Sequence, residues 1–223
     1  MRRDIAIDGP SGSGKTSVGL QVANELGLRL VDSGLLYRAF TAAYVEQYPS
    51  DRSLQSDRLP GVLLRGISYE PDGSVLFGGR VLHVPLHDPR VDRLVSPVSA
   101  VPGVRAAVNT ELRRSALLGD VVMIGRDIGA TVLPGAFLKV FITADPGVRA
   151  RRRVAQLERQ GMAVEYDAVL ANIRERDSID SSRLDSPLRC TEEHMSVDNS
   201  ADGSDAVVQA ILSEYRRRLE HVV

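Results

Sequence analysis

The chain has 223 residues, of which 43% are hydrophobic and 26% charged. These are the proportions of a folded globular protein and exclude a disordered chain. Its 28 basic and 29 acidic residues leave a net charge of −1, and no run approaches the roughly 18 apolar residues of a membrane span. A general nucleic-acid binder with a large positive excess and a membrane-spanning protein are thereby excluded.

Residues 3–8, Arg-Asp-Ile-Ala-Ile-Asp, form a short β-branched run that meets Gly9-Pro10, which predicts a buried strand ending in a turn. From 15 to 26 the apolar residues Val18, Val22, Ala23 and Leu26 recur at helical spacing, and Gly27 suits the position just past a helix end. Residues 28–31 predict a second strand, and 33–48 a second helix stopped by Pro49. Strand, glycine-rich turn, helix, strand, helix is the order of a parallel sheet with helical crossovers.

The pattern then changes. Residues 50–65 are polar and irregular. Segments 66–69 and 74–77 flank the turn Pro71-Asp72-Gly73, and 80–83 follows Gly78-Gly79. Together they predict a three-stranded antiparallel meander, an inserted subdomain. Two helices, 91–101 and 104–118, are expected on either side of Pro102-Gly103. The α/β pattern resumes with strands at 120–124 and 138–142. An arginine-rich helix over 145–160 and a further helix over 166–177 follow. A polar segment at 178–190 precedes a last strand at 195–198 and an amphipathic helix at 205–219.

Met1-Arg2-Arg3 meets Asp4 with no apolar stretch between, so no secretory leader is expected. Cys190, the single cysteine, cannot form an internal disulfide or, alone, a zinc site. A cytoplasmic protein follows as the expectation. His83, His87, His194 and His221 are scattered and none is expected to be catalytic.

Gly9-Pro10-Ser11-Gly12-Ser13-Gly14-Lys15-Thr16, followed by Ser17, matches the phosphate-loop pattern, G-x-x-x-x-G-K-[ST]. Its glycines let backbone N–H groups converge on phosphate oxygens, at the positive end of the helix that follows. Lys15 reaches the β- and γ-phosphates of ATP, and the Thr16 hydroxyl can hold Mg²⁺. Only Lys15 and Lys139 among the basic residues are lysine, and Lys15 falls where the pattern requires one. No N-K-x-D element for guanine is present, and the strand at 120–124 ends in Gly125-Arg126-Asp127 rather than in an ATPase-type acidic pair. A kinase of small molecules fits best.

Ile7-Asp8-Gly9-Pro10-Ser11-Gly12-Ser13-Gly14-Lys15, Asp32-Ser33-Gly34 with Tyr37-Arg38, Gly125-Arg126-Asp127-Ile128-Gly129, and Glu175-Arg176-Asp177 with Asp180 and Arg183 together resemble bacterial cytidylate kinase. The resemblance runs from residue 5 to about 198. It implies a three-layer P-loop nucleoside monophosphate kinase fold with a parallel sheet core (1–38, 96–150 and 188–223), a small antiparallel insert that binds the monophosphate (39–95) and a helical lid (151–187). It implies transfer of the γ-phosphoryl group of ATP, with Mg²⁺, to CMP or dCMP in pyrimidine nucleotide metabolism, by a monomer. Lys15, Arg126, Arg176 and Arg183 would act on the phosphates. Asp127 would face the cytosine amino group, with Ser96, Arg105 and Arg126 on the rest of the base edge. Tyr37 and Asp180 would lie near the sugar, Ser33, Arg38 and Arg176 near the acceptor phosphate, and Arg152 or Arg153 against adenine. Asp32 would help hold Mg²⁺ through water.

Plainer readings stand beside these. Arg126 and Asp127 could pair with each other. Arg176, Asp177, Asp180 and Arg183 could form a solvated helix face. Arg149, Arg151, Arg152 and Arg153 could be a surface stripe. The chain could instead phosphorylate UMP, AMP or shikimate, or could bind ATP only as a sensing module. One departure from the family stands out: Ile179 occupies the place of a further arginine in E-R-D-x-R-D, which predicts a weaker hold on the ATP phosphates unless Arg174 offsets it.

Overall fold

A computed structural model describes residues 2–59, 62, 66–159, 161–183, 185–201 and 203–221. Parts of the expected irregular segment 50–65, the expected helix end at residue 160 and one residue of the polar segment 178–190 lie outside the described residues. The chain divides into two compact units, Met1–Leu30 with Asp120–Val223, and Val31–Gly119.

The first unit is built on a sheet. Strand β1 (Ile5–Asp8) lies between β5 (Val121–Ile124) and β6 (Leu138–Thr143), parallel to both, and β7 (Met195–Asp198) extends the sheet beyond β6. The sheet order is β2-β5-β1-β6-β7, where β2 (Arg29–Asp32) is the strand along which the chain leaves this unit. Every residue of β1 and β5 is buried, which is why these segments read as unbroken apolar runs rather than as alternation. Helix α1 (Lys15–Leu26) ends at Gly27, whose φ of 64° provides the left-handed cap that its sequence suggested. The core joins Ile5, Ile7, Val122, Ile124, Leu138, Val140 and Ile142 of the sheet to Val18 and Val22 of α1 and to Val207, Ile211 and Tyr215 of α7 (Asp205–Glu220). Aliphatic residues dominate it, as the scarcity of aromatics requires.

Helices α5 (Pro146–Arg159) and α6 (Tyr166–Ser182) pack on each other in the same unit. Helix α6 runs five residues past its expected end at 177 and takes in Ser178–Ser182 from the expected polar segment. Asp180 and Ile173 are its buried positions, so the extension carries a buried carboxylate on the inner face.

The second unit holds α2 (Ser33–Gln47), the hairpin β3 (Ile67–Tyr69) and β4 (Val75–Phe77), α3 (Pro89–Ser99) and α4 (Pro102–Ala116). Phe40 and Phe77 meet edge to face at 5.2 Å. Glu111 of α4 accepts the backbone N–H of Tyr69 at 2.6 Å and fixes the hairpin to the helix. The meander is a two-stranded hairpin, not the three strands expected. After the Gly78-Gly79 turn only a single bridge, Phe77 to Arg80, continues the pairing. The Glu46 carboxylate accepts the backbone N–H groups of His83 and Val84 and pairs with Arg80, replacing the ladder that a third strand would have formed. Pro102 begins α4, where its missing N–H costs nothing, instead of merely separating two helices.

Candidate active site

The phosphate loop joins the carboxyl end of β1 to α1. Gly9 and Gly14 have φ of 148° and 93°, and a Cβ on either would overlap the Ile142 carbonyl oxygen or the Asn199 side-chain amide. Glycine is required there by both backbone and space. Lys15 is buried, and its Nζ donates to the Pro10 carbonyl at 2.6 Å and lies 3.4 Å from Ser13 Oγ. The ammonium thus sits inside the loop, in position to bridge phosphate oxygens. Thr16 and Ser17 are exposed at the start of α1, whose first turn contains no acidic side chain to compete with an anion.

Asn199 was not singled out in the sequence, yet it belongs to this site. It is buried, its Nδ2 donates to the Ser13 carbonyl at 2.8 Å, and its backbone N–H donates to Thr143. A signal existed: Asn199 directly follows the last parallel strand, and sites of such sheets form at strand carboxyl ends.

A second turn leaves the next strand, β5. Here Asp8, which precedes the phosphate loop in sequence, serves the other turn. Its Oδ1 accepts the N–H of Ile128 and its Oδ2 that of Gly129, each at 2.8 Å, and Asp8 is 1% exposed. These two bonds hold the backbone just after Arg126-Asp127. Behind Asp8 stands the buried side chain of His194, with Nε2 at 3.6 Å from Asp8 Oδ2 and Nδ1 accepting from the Thr191 N–H. Lys139 pairs with Glu193 beside it, and that hydrogen bond and charge hold the Glu193 carboxyl below the usual carboxylate range.

The plain pairing of Arg126 with Asp127 gives way to a longer-range one. Arg126 Nε donates to Asp180 Oδ2 at 2.9 Å. Arg183 Nη1 lies 3.6 Å from Asp180 Oδ1. The solvated-face reading of Asp180 and Arg183 fails, because both side chains are less than a tenth exposed. The structure therefore brings together Arg126, Asp180 and Arg183, with the buried Asp127 next to Arg126 in the same turn. Arg176 lies one helical turn before Asp180 on α6 and is half-buried.

The arginine stripe on α5 divides. Arg149 is not on the surface: it is 3% exposed, and its guanidinium donates to the carbonyls of Ala144 and Ser11 and to both oxygens of Asp177. Arg152 donates to the Ala201 carbonyl at 2.8 Å and, with Val148, Arg151, Ser200 and Ala201, lines an open groove of about 310 Å³. Arg153 instead bonds Gln156 along its own helix.

In the second unit, Asp32 caps α2 by accepting the Gly34 N–H on Oδ1 at 2.8 Å, and Ser33 is the buried first residue of that helix. Arg38 donates to the Leu86 carbonyl and pairs with Asp92, both at 2.8 Å. Arg105 is 1% exposed, donates to the Ser99 carbonyl, and places its guanidinium carbon 5.9 Å from the centre of the Tyr37 ring. Ser96 is buried one turn before Ser99 on α3. Tyr37, Ser96 and Arg105 thus belong to one neighbourhood of this unit.

Among the described residues no group of three or more His, Cys, Asp or Glu side chains could hold a metal ion, and no helix is long and apolar enough to cross a membrane.

Residues 5–217 match the family model for cytidylate kinase. Relatives include the cytidylate kinase of Mycolicibacterium paratuberculosis, 39% identical over 97% of this chain and 96% of that protein. The cytidylate kinase of Rhodococcus opacus is 39% identical over 93% and 92%. A bifunctional pantoate ligase/cytidylate kinase of a Synechococcus strain is also 39% identical, over 97% of this chain and 41% of its own length. Among solved structures, a gluconokinase of Sinorhizobium meliloti superposes with a TM-score of 0.51 over 100% of this chain and 97% of that one, at 18% identity, a likeness of fold alone.

Proposed function

The chain belongs to the cytidylate kinase family, and from that premise we propose that it transfers the γ-phosphoryl group of ATP to CMP or dCMP, giving ADP and CDP or dCDP. The observation that carries this reading is the glycine-lined loop with Lys15 Nζ held 2.6 Å from the Pro10 carbonyl, in a chain that matches the family from residue 5 to 217.

The roles follow from the chemistry. An acceptor phosphate has a second pKa near about 6, so CMP is largely dianionic at neutral pH and needs no general base. Catalysis is then positioning and charge neutralisation, for which arginine forks and a phosphate loop suffice. Backbone N–H groups of the loop and Lys15 take the β- and γ-phosphates. Arg126, Arg176 and Arg183 face the transferring group and the acceptor phosphate, with Ser33 and Arg38. Asp127 accepts from the cytosine amino group, and Ser96 and Arg105 serve the remaining edge. Asp180 and Tyr37 hold the sugar. Uracil reverses the donor and acceptor at two positions, so a site built this way rejects UMP by leaving buried groups unpaired. Arg152, which lines the groove with Ser200 and Ala201, faces adenine in preference to Arg153.

Mg²⁺ fits the oxygen donors present. Thr16 offers an exposed hydroxyl at the start of α1, suited to a hard cation that keeps part of its water, and by the family likeness Asp32 would help hold it through water. When bound with ATP it would neutralise phosphate charge. The segment 39–95 serves as the monophosphate-binding insert, and 151–187 as a lid that excludes water from the donor phosphate.

An ADP-release assay with Mg·ATP and, separately, CMP, dCMP, UMP, AMP, GMP and shikimate tests the reading. Release with CMP and dCMP alone, strongly reduced in Lys15→Ala, is the expected outcome. Release with another acceptor, or none, overturns it.

A further inference from the structure

The reading above leaves the buried cation Arg149 without a task. Arg149 sits on the first turn of α5, beneath the phosphate loop: a Cβ placed on Gly12 would lie 3.4 Å from Arg149 Cβ. All three nitrogens of its guanidinium are engaged. Nε donates to the Ala144 carbonyl at 2.9 Å. Nη1 donates to the Ser11 carbonyl of the loop at 3.0 Å and to Asp177 Oδ1 at 3.1 Å. Nη2 donates to Asp177 Oδ2 at 2.6 Å. One planar group therefore joins the end of β6, the phosphate loop and helix α6. The side chain is 4% exposed, whereas that of Asp177 is 25% exposed. A buried charge in this setting is retained only where its partners are well placed, and the two-point fork to a carboxylate fixes both distance and orientation.

Asp177 follows Arg176 on α6, and Asp180 lies three residues on. The helix is thus held at two points within the first unit, Asp177 by Arg149 and Asp180 by Arg126. We propose that Arg149 is a positioning residue that ties the phosphate loop to α6, so that a donor nucleotide seated in the loop orders the helix carrying Arg176 and Asp180. Arg149 touches no substrate in this account. It acts through the Ser11 carbonyl on one side, which sets how the loop presents its N–H groups, and through Asp177 on the other. Lysine could not replace it, because a single ammonium lacks the planar fork that meets Ser11 and Asp177 together.

The inference rests on the donor half of the proposed function. An enzyme using an acceptor other than CMP would fail the acceptor assay and leave the following comparison intact. The test is Asp177→Asn in the full chain, at a position whose side chain is a quarter exposed and where the helix will form without the charge. Amide hydrogen exchange of α6 is followed with and without Mg²⁺ and the β,γ-imido analogue of ATP, and no acceptor is added. Wild-type amides over Tyr166–Ser182 should slow when the analogue binds, and those of the variant should not. In turnover, the variant should show KM for ATP raised about tenfold and kcat lowered about tenfold, the scale of one charge-assisted hydrogen bond. Arg149→Lys, which keeps the charge but not the fork, should shift each value in the same direction as Asp177→Asn. A role confined to stability would lower the melting temperature but leave the response of α6 to the nucleotide and KM for ATP as in the wild type. That result, or a wild-type helix whose exchange ignores the analogue, overturns the proposal.

Discussion

The turns that leave β1 and β5 differ in what holds them. The path of the phosphate loop is set by its own residues, glycines at 9 and 14 and Lys15 reaching back to Pro10, and Arg149 and Asn199 only brace it from outside, through the Ser11 and Ser13 carbonyls. The Arg126-Asp127 turn is held from far along the chain, by Asp8 beneath it and Asp180 beside it. A structure whose determinants are local can be recognised from a short pattern. One whose determinants lie more than 50 positions away can be recognised only by family likeness or by the fold. Asp8 makes the point most sharply, since it belongs to the first motif by sequence and to the second turn by hydrogen bonding.

Breaking the local side of that comparison should have the largest effect. Lys15→Ala should lower CMP-dependent ADP release by about 10²–10³-fold, the range for removing one preorganised donor at a developing charge. The fold should persist, because the hydrogen bonds to the Pro10 carbonyl and Ser13 hydroxyl stay within the lysine's own loop. Breaking the distant side should show first in stability. Asp8→Asn keeps the shape but turns one acceptor into a donor facing an N–H, and should cost about 3 kcal/mol in urea unfolding. Its KM for CMP should rise more than its KM for ATP. Equal changes in both would mean that Asp8 does not serve the Arg126-Asp127 turn separately from the loop.

Asp127→Ala sharpens the same contrast at the base. Discrimination of CMP over UMP should fall about 10–100-fold, the worth of one well-made base-edge contact of about 1–3 kcal/mol. Unaltered CMP turnover would sink the cytosine assignment. Ile179→Arg, on the extended part of α6, should lower KM for ATP only a few-fold, since a half-exposed cation is screened. Identical kinetics would remove Ile179 as a cause of weak donor binding.

The smallest effect is expected far from both turns. Hydrogen bonds from Arg217 and Arg218 hold the Glu214 carboxyl down at about 2, against an ordinary value of 4.5. Because the folded value is the lower one, the stabilisation is complete above about 4.5 and is lost as pH falls from there towards about 2. The Glu214 side chain is 19% exposed but its two arginine partners are 59% and 34% exposed, so water screens the pairs; Glu214→Gln should cost about 1 kcal/mol or less at neutral pH, and added salt should shrink even that. A flatter acid-unfolding curve in the variant checks it.

Legibility followed the range of the forces. The helix over Lys15–Leu26 was readable to the residue, because its spacing of apolar positions and its glycine cap are local. The carboxyl end of α6 was not: Ser178–Ser182 look like a polar loop until Arg126 and Arg183 supply charges for Asp180. The third strand of the insert failed for the opposite reason. Residues 80–83 have strand-like side chains, but the Glu46 carboxylate claims the N–H groups of His83 and Val84 that a strand would have used.

The sequence by itself determined the phosphate loop, the parallel β–α order, the aliphatic core and, through its motifs, the family. Each depends on spacing along the chain or on residue type. Tertiary structure alone decided which charges are solvent-facing and which are buried. Arg149 and Arg153 are one helical turn apart and identical as letters. Only the first has Ser11, Ala144 and Asp177 brought to it from three other segments, and that set of carbonyls and a carboxylate, delivered by the fold, is what lets its guanidinium enter the interior.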